Sequence, residues 1–198
     1  MSASDNGSVT LNISDSGIAT ITFYHPAQNS LPAALLDELA EKIIGAGNDA
    51  QVRVIVLKSG GDRTFCAGAS FDELLQIKDK EAGAVFFSGF AKIINACRNS
   101  SKIVIARIQG KAVGGGVGIA AAADYCLATE VASIKLSELA IGIGPFVISP
   151  AVTRKTCPVG NNSARPWRAP WLPIPPSSCL MNHSPRLMPE RVRGCLMK

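Results

Sequence analysis

No run in this chain comes near about 18 consecutive apolar residues, so the sequence offers no candidate membrane span. The opening MSASDNGSVT lacks the basic and apolar stretches of a secretory signal. Histidine is scarce: His25 and His183 are the only two, which argues against a His-based triad or a zinc site. The six cysteines (Cys66, Cys97, Cys126, Cys157, Cys179 and Cys195) form no CxxC pair and no metal-ligand spacing. The expectation is therefore scattered free thiols in a reducing compartment, no bound metal, and a cytoplasmic location.

A basic footprint for nucleic acid is also lacking. The net charge is +5, but residues 1–150 hold 12 Lys+Arg against 14 Asp+Glu, a net of −2. Residues 151–198 hold 8 Lys+Arg and one Glu, a net of +7, so the excess lies wholly in the tail and the body gives no sign of a nucleic-acid partner.

What is present suits one globular domain with an appendage: 198 residues, 47% of them hydrophobic. Val9–Ile13 and Ile18–Phe23 are β-rich runs around Ser14-Asp15-Ser16-Gly17, which predicts a hairpin. Asn29-Ser30 before Leu31-Pro32 reads as a helix start, and Leu35, Leu36, Leu39 and Ile43 then recur at helical spacing. Val52–Leu57 and Ile103–Ile108 are apolar, β-branched runs expected as buried strands, with helices over 71–77 and 81–97 between them. A short strand is expected at Tyr125–Ala128. A hairpin followed by alternating helices and strands predicts an α/β domain with a largely parallel sheet.

The chain is organised around GKAVGGGVGIAAAAD, residues 110–124. The strand at Ile103–Ile108 leads into Gly114-Gly115-Gly116 and then into the small, apolar, helix-favouring run Val117–Ala123. A helix beginning there presents unpaired N–H groups and the positive end of its dipole, a place to hold negative charge. Lys111 precedes the glycines, so the phosphate-loop pattern fails, and Ile119 stands where a dinucleotide fingerprint needs its last glycine. Taken alone, the stretch admits a plainer reading: a glycine turn that only permits tight packing.

Two further stretches bear on it. Gly60–Ser70 (GGDRTFCAGAS) is a second glycine-containing junction between strand and helix. Two such junctions at one sheet edge could aim two backbone N–H groups at one oxygen, which is what an oxyanion hole requires. In LSELAIGIGP, residues 136–145, Glu138 is an acid in an otherwise apolar, glycine-rich run. It is either a solvated residue at a helix start or a carboxylate in an apolar site, its pKa raised so that it can take and give a proton near neutrality.

Together the three stretches resemble the crotonase superfamily, the enoyl-CoA hydratases and isomerases. FCAGASFDELL (65–75) looks like its first oxyanion segment, GKAVGGGVGIAAAADYCLAT (110–129) like its signature, and SELAIGIGP (137–145) like its catalytic-acid segment. The likeness runs over roughly residues 8–156. It implies a crotonase-like spiral of ββα units, and an acyl-CoA substrate whose thioester carbonyl is held by two backbone N–H groups. Carried onto this sequence, those donors are Ala69 and Gly115, with Glu138 moving the proton. Ala67, Gly68, Ala69, Ser70, Gly114, Gly115 and Gly118 would lie along the CoA thioester, and Asp124 would be structural. CoA is part of the substrate, so no separate cofactor is implied. A homotrimer or hexamer is the family expectation.

Departures from the pattern carry information too. Hydratases of the family place a second glutamate where this chain has Gly118, and a glycine can neither position nor deprotonate a water. The acid count therefore favours isomerisation, in which one base shuttles a proton between carbons. Ser70 stands in place of a common Asp and Ser137 in place of a common Pro. From Cys157 onward the composition changes: eight of the twelve prolines lie in Pro158–Pro189, and no period survives. The expected division is a crotonase-like core over 1–156 and an irregular, proline- and arginine-rich tail over 157–198. That tail is either the product of a frameshifted or mis-assembled C-terminus or a proline-rich interaction segment. An alternative function follows, a non-catalytic relative that at most binds CoA.

Overall fold

The computed structural model describes residues 7–138. The expectations for the apolar run after Glu138 and for the tail from Cys157 lie outside the described residues.

Among the described residues the chain forms ten strands and four helices. In order these are β1 (Ser8–Ile13), β2 (Ile18–Tyr24), β3 (Ser30–Leu31), α1 (Ala33–Asn48), β4 (Val54–Ser59), β5 (Thr64–Cys66), β6 (Gly68–Ala69), α2 (Phe71–Leu75), α3 (Lys80–Asn99), β7 (Ile103–Ile108), β8 (Lys111–Val113), α4 (Gly115–Ala122), β9 (Tyr125–Ala128) and β10 (Ser133–Lys135).

The predicted hairpin is present: β1 and β2 pair antiparallel, and Gly17 N–H closes the turn on the Ser14 carbonyl at 2.8 Å. From β2 the sheet grows in parallel, giving the order β1-β2-β4-β7-β9. One face of it carries the core, with Ala19, Ile21, Phe23, Ile55, Leu57, Val104 and Ala106 buried. α1 covers that face, and α3 packs on α1 and α4. α1 contributes Leu35, Leu36, Leu39 and Ile43, and α3 contributes Phe90, Ile93 and Ile94. Full burial of each such aliphatic side chain contributes about 1.5–3 kcal/mol, which is why apolar spacing alone locates both helices. α4 is apolar all round and buried accordingly.

A second, wholly parallel sheet of order β10-β8-β5 stands beside the first, and β3 pairs in parallel with β6. These strands of two or three residues are too short to show a period.

The helix start at Asn29-Ser30 requires correction. α1 begins at Ala33 with Pro32 as its cap, and Ser30–Leu31 is extended. A residue before proline is pushed out of helical geometry, which places Leu31 in a strand. Asn29 is instead a buried polar node with left-handed φ of 57°. Its Nδ2 donates to the Gly60 carbonyl at 2.9 Å and the Thr64 carbonyl at 2.8 Å, while its Oδ1 accepts from His25 N–H at 2.9 Å. The first free N–H of α1, on Ala33, is capped from elsewhere by Glu73 Oε2 at 2.9 Å.

Candidate active site

The short parallel sheet positions the site. Because β5, β8 and β10 run the same way, the chain leaves all three at one edge. From β5 it enters Ala67-Gly68-Ala69-Ser70, from β8 it enters Gly114 and α4, and from β10 it enters Leu136-Ser137-Glu138. The carboxyl edge of a parallel sheet is where open α/β folds place their ligands. The three stretches singled out in the sequence are thus brought together.

Gly114 is the junction. Its N–H donates to the Lys135 carbonyl at 2.8 Å, extending the register in which Lys135 lies opposite Val113. That bond draws the segment after β10 over the start of α4. Gly114 has φ 54° and ψ −125°, a conformation close to the first central position of a type II′ turn, where L side chains are strained. A Cβ built there would stand 3.0 Å from Glu138 Oε1 and 3.2 Å from Ser137 Oγ. The Glu138 carboxylate therefore lies directly beside the N-terminus of α4.

That carboxylate is half-buried. Its Oε2 is buried and accepts no hydrogen bond among the described residues. Burial pushes the Glu138 pKa above the ordinary glutamate range, opposed more weakly by a hydrogen bond from its own backbone amide.

α4 begins at Gly115, two residues before the expected Val117, so the last glycines of the triplet are already helical. As the first helical residue, Gly115 has an N–H with no intrahelical acceptor. Phe90 of α3 packs against this point: a Cβ at Gly115 would come within 2.5 Å of Phe90 Cδ1 and Cε1. Opposite it, a Cβ at Gly68 would lie 3.3 Å from the Val113 carbonyl and 3.9 Å from Gly115 N. The Ala67–Ser70 segment and the start of α4 are neighbours.

The remaining predicted residues fall as follows. Ala69 is partly buried against the core, and its carbonyl accepts from Ser30 Oγ at 2.9 Å. Ser70 caps α2, its Oγ accepting from Glu73 N–H at 3.4 Å. Gly118 is buried within α4, and Asp124 binds back to β7, its Oδ2 accepting from Val104 N–H at 3.0 Å. Two participants escaped the sequence reading. Phe90 was legible only as one apolar residue in a helical period, and Asn29 resembles an ordinary helix-capping residue. Among the described residues no helix is long and apolar enough to cross a membrane.

Comparison with known proteins identifies the family. The profile of the Enoyl-CoA hydratase/isomerase family matches residues 14–166. A Bacillus subtilis protein named "Probable enoyl-CoA hydratase" is 33% identical over 131 residues, which is 66% of this chain and 50% of that protein. The carnitinyl-CoA dehydratase of Escherichia coli K12 is 32% identical over 141 residues, 70% of this chain and 52% of that one. A solved Legionella pneumophila structure, named for the enoyl-CoA hydratase/isomerase (crotonase) class, superposes with a TM-score of 0.69 at 33% identity. It covers 77% of this chain and 58% of its own. The chain belongs to the enoyl-CoA hydratase/isomerase family and has the mixed α/β fold of crotonase. It spans about half the length of the relatives it matches.

Proposed function

We propose that the protein acts on an acyl-CoA thioester, stabilising an enolate oxygen between the N–H groups of Ala69 and Gly115 while Glu138 moves a proton at the α-carbon. The observation that carries this reading is the half-buried Glu138 carboxylate, its buried Oε2 without a hydrogen-bond partner among the described residues, beside the N-terminus of α4. Negative charge developing on the substrate would meet the positive end of the helix and N–H groups already held in place, which reduces reorganisation during the reaction. A carboxyl with a raised pKa holds its proton closer to neutrality and can return it to a neighbouring carbon.

Isomerisation of an enoyl-CoA is favoured over hydration. Gly118 supplies no second carboxylate, and a single shuttle suffices to move a double bond. Ala67, Gly68, Ser70 and Gly114 would line the path of the thioester arm. The setting is cytoplasmic, and a homotrimer or hexamer would be the assembled form, which sedimentation would measure.

The test is turnover of 3-enoyl-CoA and crotonyl-CoA by the purified chain, with Glu138→Gln as control. The expected result is isomerisation by the parent and a loss of about 10²–10⁴-fold in the variant. Equal rates for the two proteins would remove Glu138 from the mechanism. CoA binding without turnover by either would identify the alternative, a non-catalytic CoA-binding member.

A further inference from the structure

Two backbone hydrogen bonds and one from the Ser30 hydroxyl tie the Ala67–Ser70 segment to residues 29–31, just before α1. Ala67 N–H donates to the Asn29 carbonyl at 3.2 Å, Ser70 N–H to the Leu31 carbonyl at 3.1 Å, and the Ala69 carbonyl accepts from Ser30. The segment that holds Ala69 is thus templated by residues 29–31.

That template is itself held to β5 by side chains: Gln28 Oε1 accepts from Thr64 Oγ1 at 3.0 Å, and Asn29 makes the larger set of contacts. Asn29 holds the start of β5 and the residue that follows it, its side chain on the Thr64 carbonyl and its main chain on Ala67 N–H. The same side chain also spans to Gly60 and His25. Thr64 gathers more support: its carbonyl is approached by Gln109 Nε2 at 3.3 Å and Ser59 Oγ at 3.4 Å. Asparagine is among the few non-glycine residues that adopt the left-handed conformation seen at position 29 without large strain.

We infer that Asn29 is a positioning residue that sets where the Ala67–Ala69 backbone stands relative to Gly115. The inference rests on the oxyanion reading for its effect on rate, but the placement of the segment is independent of it. Between the anchored N–H groups of Ala67 and Ser70 lie only Gly68 and Ala69, so a shift of the anchors is passed directly to Ala69. A displacement of about 1 Å at a reacting group costs on the order of 10²-fold in rate.

The test uses Asn29→Gly and Asn29→Asp in the full-length chain. Asn29→Gly keeps the left-handed backbone accessible while deleting the side chain, and Asn29→Asp keeps the acceptor for His25 while losing both donors. We expect amide hydrogen exchange at Ala67 and Ser70 to accelerate at least about tenfold in both variants, with the amides of β4 and β7 unchanged. We also expect kcat on the enoyl-CoA to fall about 10- to 100-fold, with the dissociation constant for CoA changed less than about threefold. Unchanged exchange at Ala67 and Ser70 would overturn the inference, as would equal acceleration throughout β4 and β7, which marks general loosening. Normal kcat beside accelerated exchange would overturn its catalytic consequence. If the parent turns over no CoA thioester, the functional reading fails alone, and exchange still decides the role of Asn29.

Discussion

Gly115→Ala offers a sharp test of the site, because the obstacle it meets can be named atom by atom. The new Cβ would lie 2.5 Å from two carbons of the Phe90 ring and 2.6 Å from a third. Carbon atoms in contact settle about 3.5–4.0 Å apart, so the misfit is about 1 Å. The Phe90 ring is itself buried in the core and cannot swing into solvent. Relief must come from the first turn of α4, from α3, or from both. Overpacking of this kind costs about 1–3 kcal/mol, and for a domain of this size each kcal/mol lowers the melting temperature by about 2–4 °C. A fall of roughly 2–12 °C is therefore expected by scanning calorimetry. Movement of the Gly115 N–H by a sizeable part of that ångström should lower kcat on 3-enoyl-CoA by about 10²-fold. The companion Phe90→Leu makes room, so the double variant should be more stable than the sum of the single effects by about 1 kcal/mol or more. Strict additivity, or a Gly115→Ala protein with parental melting temperature and turnover, would refute the close approach of α3 to the helix start.

Other outcomes follow from the same contacts. Glu138→Gln should melt higher than the parent at pH 7. Burial raises the folded pKa of Glu138 above the ordinary glutamate value that it has when unfolded, so the folded state holds the extra proton and loses stability as pH climbs from the one to the other. The gain should vanish below about pH 4, where the carboxyl is protonated folded or unfolded; a constant difference at all pH values would contradict the burial of the charge. In the parent, kcat should drop as pH falls through this raised pKa, and a pH profile with an ordinary glutamate pKa would count against Glu138 as the base. Cys66, fully buried with its thiol pushed up to about 12, should resist iodoacetamide at pH 8 until the protein is denatured, as peptide mapping would show. Asp124→Ala leaves Val104 N–H without its side-chain acceptor and should cost about 1–3 kcal/mol in urea unfolding. Its kcat per folded molecule should stay within about threefold of the parent, and a larger loss would bring Asp124 into the chemistry.

How much of this was legible in the sequence depends on the length over which each signal repeats. The strands β7 and β9 stand where their apolar runs place them, and α3 extends its predicted span by a residue or two at each end, because burial writes a pattern over several residues. β5, β6, β8 and β10 carry no such pattern, yet they bring Ala69, Gly115 and Glu138 to one edge. Three separated motifs could stand in for those strands only because Ala69 ends β6, while Gly115 and Glu138 come within three residues of the ends of β8 and β10. Asn29 shows the opposite limit. Its residue type fits a helix cap as well as a left-handed node, and the choice is made by carbonyls on Gly60 and Thr64, more than thirty residues away. The same holds at Gly115, where the demand for glycine comes from Phe90 on another helix. Local sequence therefore named the groups suited to the chemistry, while tertiary contacts decide how closely those groups are held. It is at Asn29 and Phe90, not at Glu138, that substitutions should separate activity from binding without removing any atom that would touch the substrate.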